Sequence, residues 1–113
     1  MTADPALAVL VLESGRTAEV LLSGELDVDA DQVLRCVLSR ILADPLVQRV
    51  ELDVALVDFC DSGGLTALIR ARTRAERFGV RLCLVRVGPQ LRRILGMTGL
   101  WDLFDCTGVE DCL

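Results

Sequence analysis

The sequence contains no histidine and no lysine, so every positive side chain is one of its 12 arginines. Without an imidazole or an amine, a serine nucleophile has nothing to take its proton. Neither a Ser-His-Asp nor a Ser-Lys hydrolase can therefore be assembled within the chain. The five cysteines, Cys36, Cys60, Cys83, Cys106 and Cys112, include no Cys-x-x-Cys pair, and the lack of histidine excludes a Cys/His zinc site. Their odd number argues against a disulfide framework, and their apolar surroundings make them read as small buried hydrophobes. No apolar run approaches the ~18 residues of a membrane span. The start, MTADPALAVLVLESG, carries Asp4 and no early positive charge, unlike a secretory signal. A soluble, cytoplasmic protein without membrane insertion is expected. Phosphate-loop patterns are missing too: Gly63-Gly64 is not followed by Gly-Lys-Ser/Thr, and no strand leads into Gly-x-Gly-x-x-Gly.

What is present is a 113-residue chain, 52% hydrophobic, with a net charge of −5. That length fits one domain with a core large enough to need no staples. The acidic balance disfavours direct nucleic-acid binding, although Arg70, Arg72, Arg74 and Arg77 form a local basic cluster. Asp53, Asp58 and Asp61 could form a weak divalent-cation site, but strand ends and helix caps explain them better. No metal and no cofactor is expected.

LAVLVLE (7–13) reads as a strand, SGR as a turn, and TAEVLLSGELD (17–27) as an antiparallel partner. Val33, Leu34, Val37, Leu38, Ile41 and Leu42 fall at helical spacing, with Asp29 or Asp31 able to cap the start. VQRVELDVALVDF reads as a buried strand with a following extended segment. A helix is predicted over 65–78, with Leu65, Leu68, Ile69, Ala75 and Phe78 on its apolar face and Gly79 at its end. VRLCLVRV is a further strand. Pro89 opens a third helix carrying Leu91, Ile94, Leu95 and Met97, and LWDLFDC reads as a final strand or extended edge. The order β-β-α-β-α-β-α-β predicts an α/β single-domain sandwich, a mixed, mainly parallel β-sheet with helices packed against it. The domain takes in residues 1–113, of which 1–5 are expected to be disordered.

In VDFCDSGGLTAL (57–68), Ser62 stands where the extended segment becomes a helix. It can cap that helix through its side-chain oxygen. It can also accept a phosphoryl group, which the amides and dipole of a helix start tolerate. The residues alone leave both readings open.

Three stretches, in order, resemble the STAS domain family, and within it the anti-sigma factor antagonists. LSGELDVDADQVL resembles the family's Gly-Glu-Leu-Asp segment. VELDVALVDFCDSGGLTALIRARTRA resembles its strand, Asp-Ser-Ser/Thr-Gly-Leu loop and helix, and LRRILGMTGLWDLFD its third helix and Thr-Gly-Leu segment. The resemblance implies a bacterial partner-switching phosphoprotein in transcription regulation, with no catalysis of its own. It would bind an anti-sigma factor serine kinase and free the sigma factor. The kinase, using magnesium and ATP, would phosphorylate Ser62 and so release it, and a phosphatase would restore the binding form. It further implies a partner-binding face of Asp27, Asp61, Ser62, Gly63, Gly64 and Leu65. The sequence departs from the family at Gly63, where a second Ser or Thr is usual, and the loop is expected to gain freedom there. The competing reading is a non-switching STAS adaptor or scaffold subunit, such as one of a lipid-transport ATPase complex. Oligomeric state is not specified by the sequence, although Trp101 or Leu103, if exposed, could extend an apolar contact patch.

Overall fold

In the computed structural model, residues 7–104 are described. The expected disorder over residues 1–5, and Cys106 and Cys112, lie outside the described residues. Four strands form one sheet in the order β1-β2-β3-β4: β1 (Leu7–Ser14), β2 (Thr17–Leu26), β3 (Arg49–Cys60) and β4 (Arg81–Val85). Gly15, with φ +63°, makes the tight turn that sets β1 antiparallel to β2. β2–β3 and β3–β4 are parallel, so two of the three pairings are parallel, as the alternation of strands and helices predicts.

Helix α1 (Ala30–Leu42) connects β2 to β3, and α2 (Ser62–Arg77) connects β3 to β4. The two helices lie side by side, with α2 against β2, β3 and β4. Beneath them the strands alternate: Val20 and Leu22, Val50 and Leu52, and Leu82 and Leu84 are buried with Leu34, Leu38 and Leu68. Leu10 and Leu12, on the other alternation of β1, are exposed.

Helix α2 ends where it was expected to. Val80 N–H donates to the Ala75 carbonyl and Gly79 N–H to that of Glu76, with Gly79 at φ +71°. This is the paired closure that a left-handed residue permits. Gly99 repeats it after helix α3 (Pro89–Met97).

Several expectations need correction. Among the described residues the final segment forms no fifth strand: Trp101–Leu103 form one 3₁₀ turn, closed by Leu103 N–H onto the Leu100 carbonyl at 3.0 Å. Trp101 and Leu103 are half-buried, and the Arg92 guanidinium lies 5.3 Å from the Trp101 ring centroid, so neither extends an open apolar patch. Phe78 and Met97 lie outside the core, 63% and 78% exposed. Phe78 follows the last turn of α2 in a non-helical conformation, which takes its side chain off the helical stripe. Of the three described cysteines only Cys83 is buried; Cys60 is half-buried and Cys36 exposed.

Candidate functional site

The site forms where the parallel strands β2 and β3 end and α2 begins. Cys60 pairs with Leu26 at the last rung of the ladder, and Asp61 N–H continues the pairing onto the Leu26 carbonyl at 3.2 Å. The chain then turns into α2. Asp61, in an extended conformation, is the N-cap: its Oδ1 accepts from Gly64 N–H at 2.9 Å, and its carbonyl accepts from Leu65 N–H at 2.9 Å. The sequence left open whether Ser62 caps the helix, and the structure assigns that role to Asp61. Ser62 is the first helical residue. It is exposed, its hydroxyl makes no hydrogen bond among the described residues, and its carbonyl accepts from Thr66 Oγ1 at 3.0 Å.

Both glycines act by lacking a side chain. A Cβ on Gly64 would overlap the Leu26 carbonyl, so α2 can start directly on the end of β2 only with glycine there. A Cβ on Gly63 would come 2.9 Å from Val28 N and 3.0 Å from Val28 Cα. Gly63 is therefore not a point of added freedom, as the sequence suggested. It lies within α2 and seats the backbone of the β2–α1 turn.

That turn carries Asp27. Its carbonyl accepts from Ala30 N–H at 3.0 Å and its Oδ1 from Asp29 N–H at 3.0 Å, so Asp27 closes the turn into α1. Asp29 is the N-cap residue without a side-chain cap, and Asp31 does not cap either. Asp31 instead meets Arg70 at 3.3 Å and Arg74 at 3.4 Å across the helix pair. Arg72 pairs with Glu76 along α2. Three of the four arginines of the basic cluster, Arg70, Arg72 and Arg74, are thus ion-paired, and an exposed pair of this kind contributes about 0.2–1 kcal/mol.

Leu26 and Val28, on either side of Asp27, touch Gly64 and Gly63. The fold thus brings Asp27, Asp61, Ser62 and Gly63 to one surface, with Gly64 and Leu65 buried beneath it. Three exposed apolar residues, Val28 (72% exposed) in the β2–α1 turn and Leu56 and Phe59 on the part of β3 that leads to Asp61, were not singled out from the sequence. The one local signal was valine set within the acidic run Asp27-Val28-Asp29, where a solvated turn has no need of it.

Cys60 directly precedes the N-cap residue Asp61. Burial chiefly, and then the neighbouring Asp61 carboxylate, push its thiol up to about 11 from an ordinary 9.0, so it is protonated and unreactive at neutral pH. Asp53 is separated from Asp58 and Asp61 by burial. It is 3% exposed, with Arg86 Nε at 2.8 Å, Arg86 Nη2 at 2.6 Å and Ala55 N–H at 3.0 Å. Among the described residues no three His, Cys, Asp or Glu side chains converge to hold a metal ion. No helix among them is long and apolar enough to cross a membrane.

The STAS domain family matches residues 9–111, and the chain belongs to that family. Among solved structures it is similar to the anti-sigma factor antagonist SpoIIAA in its unphosphorylated form, with 23% identity, 92% of this chain and 91% of that chain covered, and a TM-score of 0.72. An anti-sigma factor antagonist from Mycobacterium paratuberculosis is similar at 25% identity over 99% of this chain and 95% of that one, with a TM-score of 0.71. The murine anion transporter Solute Carrier 26 family member A9 matches at 22% identity over 80% of this chain but 15% of its own, with a TM-score of 0.70. A comparison with curated protein sequences finds no match.

Proposed function

We propose that this protein is an anti-sigma factor antagonist: it binds an anti-sigma factor serine kinase, frees the sigma factor held by it, and is switched off by phosphorylation at Ser62. The observation that carries this reading is the exposed, unbonded Ser62 hydroxyl at the first turn of a helix that Asp61 caps and two glycines hold in place. In the transfer, Ser62 Oγ would form a bond to the γ-phosphorus of ATP as the bond to ADP breaks. The hydroxyl proton would go to a base of the kinase, since this chain offers no histidine or lysine.

The chemistry of the switch is local. A phosphoserine carries about −1.5 to −2 charges at neutral pH, and here it would stand beside Asp61 and across from Asp27. The Ser62 and Gly63 amides, which have no acceptor among the described residues, offset part of that charge without removing it. The face that meets the partner thus changes from a neutral hydroxyl to a concentrated negative charge. Losing about 2–3 kcal/mol at such a centre lowers affinity by about 30- to 150-fold, enough to release a partner.

Incubation with an anti-sigma factor serine kinase from the same organism, magnesium and ATP is expected to add one phosphate, and Ser62→Ala to prevent it. Absence of both phosphate and kinase binding would sink the reading. The non-switching adaptor requires instead that Ser62→Asp leave partner affinity unchanged, whereas a switch requires a loss of at least about 30-fold.

A further inference from the structure

Away from this face, a groove of about 440 Å³ lies between the C-terminal parts of α1 and α2. That volume falls within the range of small-molecule sites. One side of its chemistry is cationic, from Arg35, Arg74 and Arg77, and the other is apolar, from Leu38, Leu42 and Phe78. No carboxylate lines it, in a chain whose net charge is −5.

Three observations separate this cluster from ordinary helix surface. Arg35 and Arg77 make no side-chain hydrogen bond or ion pair among the described residues. Arg74 spends Nη2 on a long contact to Asp31, 3.4 Å, and leaves Nη1 buried with no acceptor. A buried donor left unmet is unfavourable, and an oxyanion at this wall would supply it. Favourable interaction with the α2 dipole accounts for Arg74 and Arg77 in its last turn, but not for Arg35, which lies in the middle of α1. Phe78, exposed at the mouth, gives the groove an aromatic wall that nothing in the fold uses.

We propose that this groove binds an anionic amphiphile, with a phosphate monoester or carboxylate held by Arg35, Arg74 and Arg77 and an apolar chain lying along Leu38, Leu42 and Phe78. A bare ion would leave the apolar wall unused, and an uncharged chain would leave the guanidiniums unmet. A polyanion such as nucleic acid would meet repulsion from the acidic remainder of the chain.

The test titrates isotope-labelled, full-length protein with decyl phosphate below its micellar concentration, followed by amide NMR. Saturable shifts centred on Arg35, Leu38, Leu42, Arg74, Arg77 and Phe78 are expected. The double variant Arg35→Gln/Arg77→Gln, both positions exposed, is expected to melt as the parent does and to bind at least about tenfold more weakly. Inorganic phosphate is expected to bind weaker than decyl phosphate by a similar factor. Shifts centred elsewhere, affinity indifferent to the two arginines, or equal binding of inorganic and decyl phosphate would each overturn the proposal. Vesicles containing phosphatidic acid identify the source of the ligand. Arginine-dependent co-sedimentation assigns a bilayer lipid, and decyl phosphate binding without it assigns a free amphiphile. Ser62→Ala is expected to leave this binding unchanged, so the groove and the phosphorylation switch fail independently.

Discussion

Between Arg49 and Asp53, β3 is paired with β2 on one side and β4 on the other; between Ala55 and Cys60, its described pairing is with β2, and that register slips twice. The first half alternates into a sealed core, with Val50 and Leu52 fully buried and Asp53 closed over by Arg86. The second half exposes Leu56 and Phe59 and runs into Asp61-Ser62. One strand is thus scaffold at its start and display at its end. Irregular pairing is what lets the same backbone change roles, because each slip re-aims the side chains that follow.

The sharpest way to break this comparison is to truncate one leucine in each half. Leu52→Ala removes a fully buried side chain and is expected to cost about 3–4 kcal/mol, cavity included. Leu56→Ala, at 66% exposure, is expected to change stability by less than about 0.5 kcal/mol. Urea unfolding of the two variants measures both. Equal losses would show that the distal half is covered in the native state and that the contrast is false.

Next in size are the glycines that join the displayed end to α2. Gly64→Ala drives a methyl into the Leu26 carbonyl and is expected to cost about 3 kcal/mol, as severe overpacking does. Gly63→Ser meets an exposed turn that can give way, so about 1 kcal/mol is expected, with faster amide exchange at Val28 and Asp29. If Gly63→Ser proves the costlier, the β2–α1 turn is rigid and Val28 is fixed for a reason other than the missing Cβ.

How much of this the sequence disclosed depends on the range of the interaction. Helix and strand periodicity is local, so β1 through α3 were legible, as was the Gly79 stop, which depends on one residue's handedness. Ser62 at a strand-to-helix junction was legible too. Its division of labour with Asp61 was not, because serine and aspartate both cap well and only geometry decides between them. The contact of Val28 with Gly63 joins residues far apart in sequence, and no local pattern encodes it. Arg70 and Arg74 read only as part of a basic cluster because their partner, Asp31, sits on another helix. LWDLFDC alternates like a strand, yet among its described residues Leu100 and Leu103 pack at the spacing of three that a 3₁₀ turn gives.

The smallest effect expected tests whether the displayed half is truly half-buried at its last residue. Cys60 has its thiol raised from 9.0 to about 11, first by burial and then by Asp61. The folded state therefore holds the proton more tightly than the unfolded chain. This group's contribution to stability is full below pH 9 and is lost as pH rises from 9 through about 11. Iodoacetamide labelling of Cys60, followed on its own peptide by mass spectrometry, is expected to be slow at neutral pH and to keep accelerating towards pH 11. The same peptide in urea should level off near 9. Asp61→Asn removes the lesser cause, so it should lower the folded midpoint only slightly while burial holds it above 9. A folded plateau at 9 would mean that water reaches the thiol freely, and that the junction of β3 with α2 is more open than the half-buried Cys60 indicates.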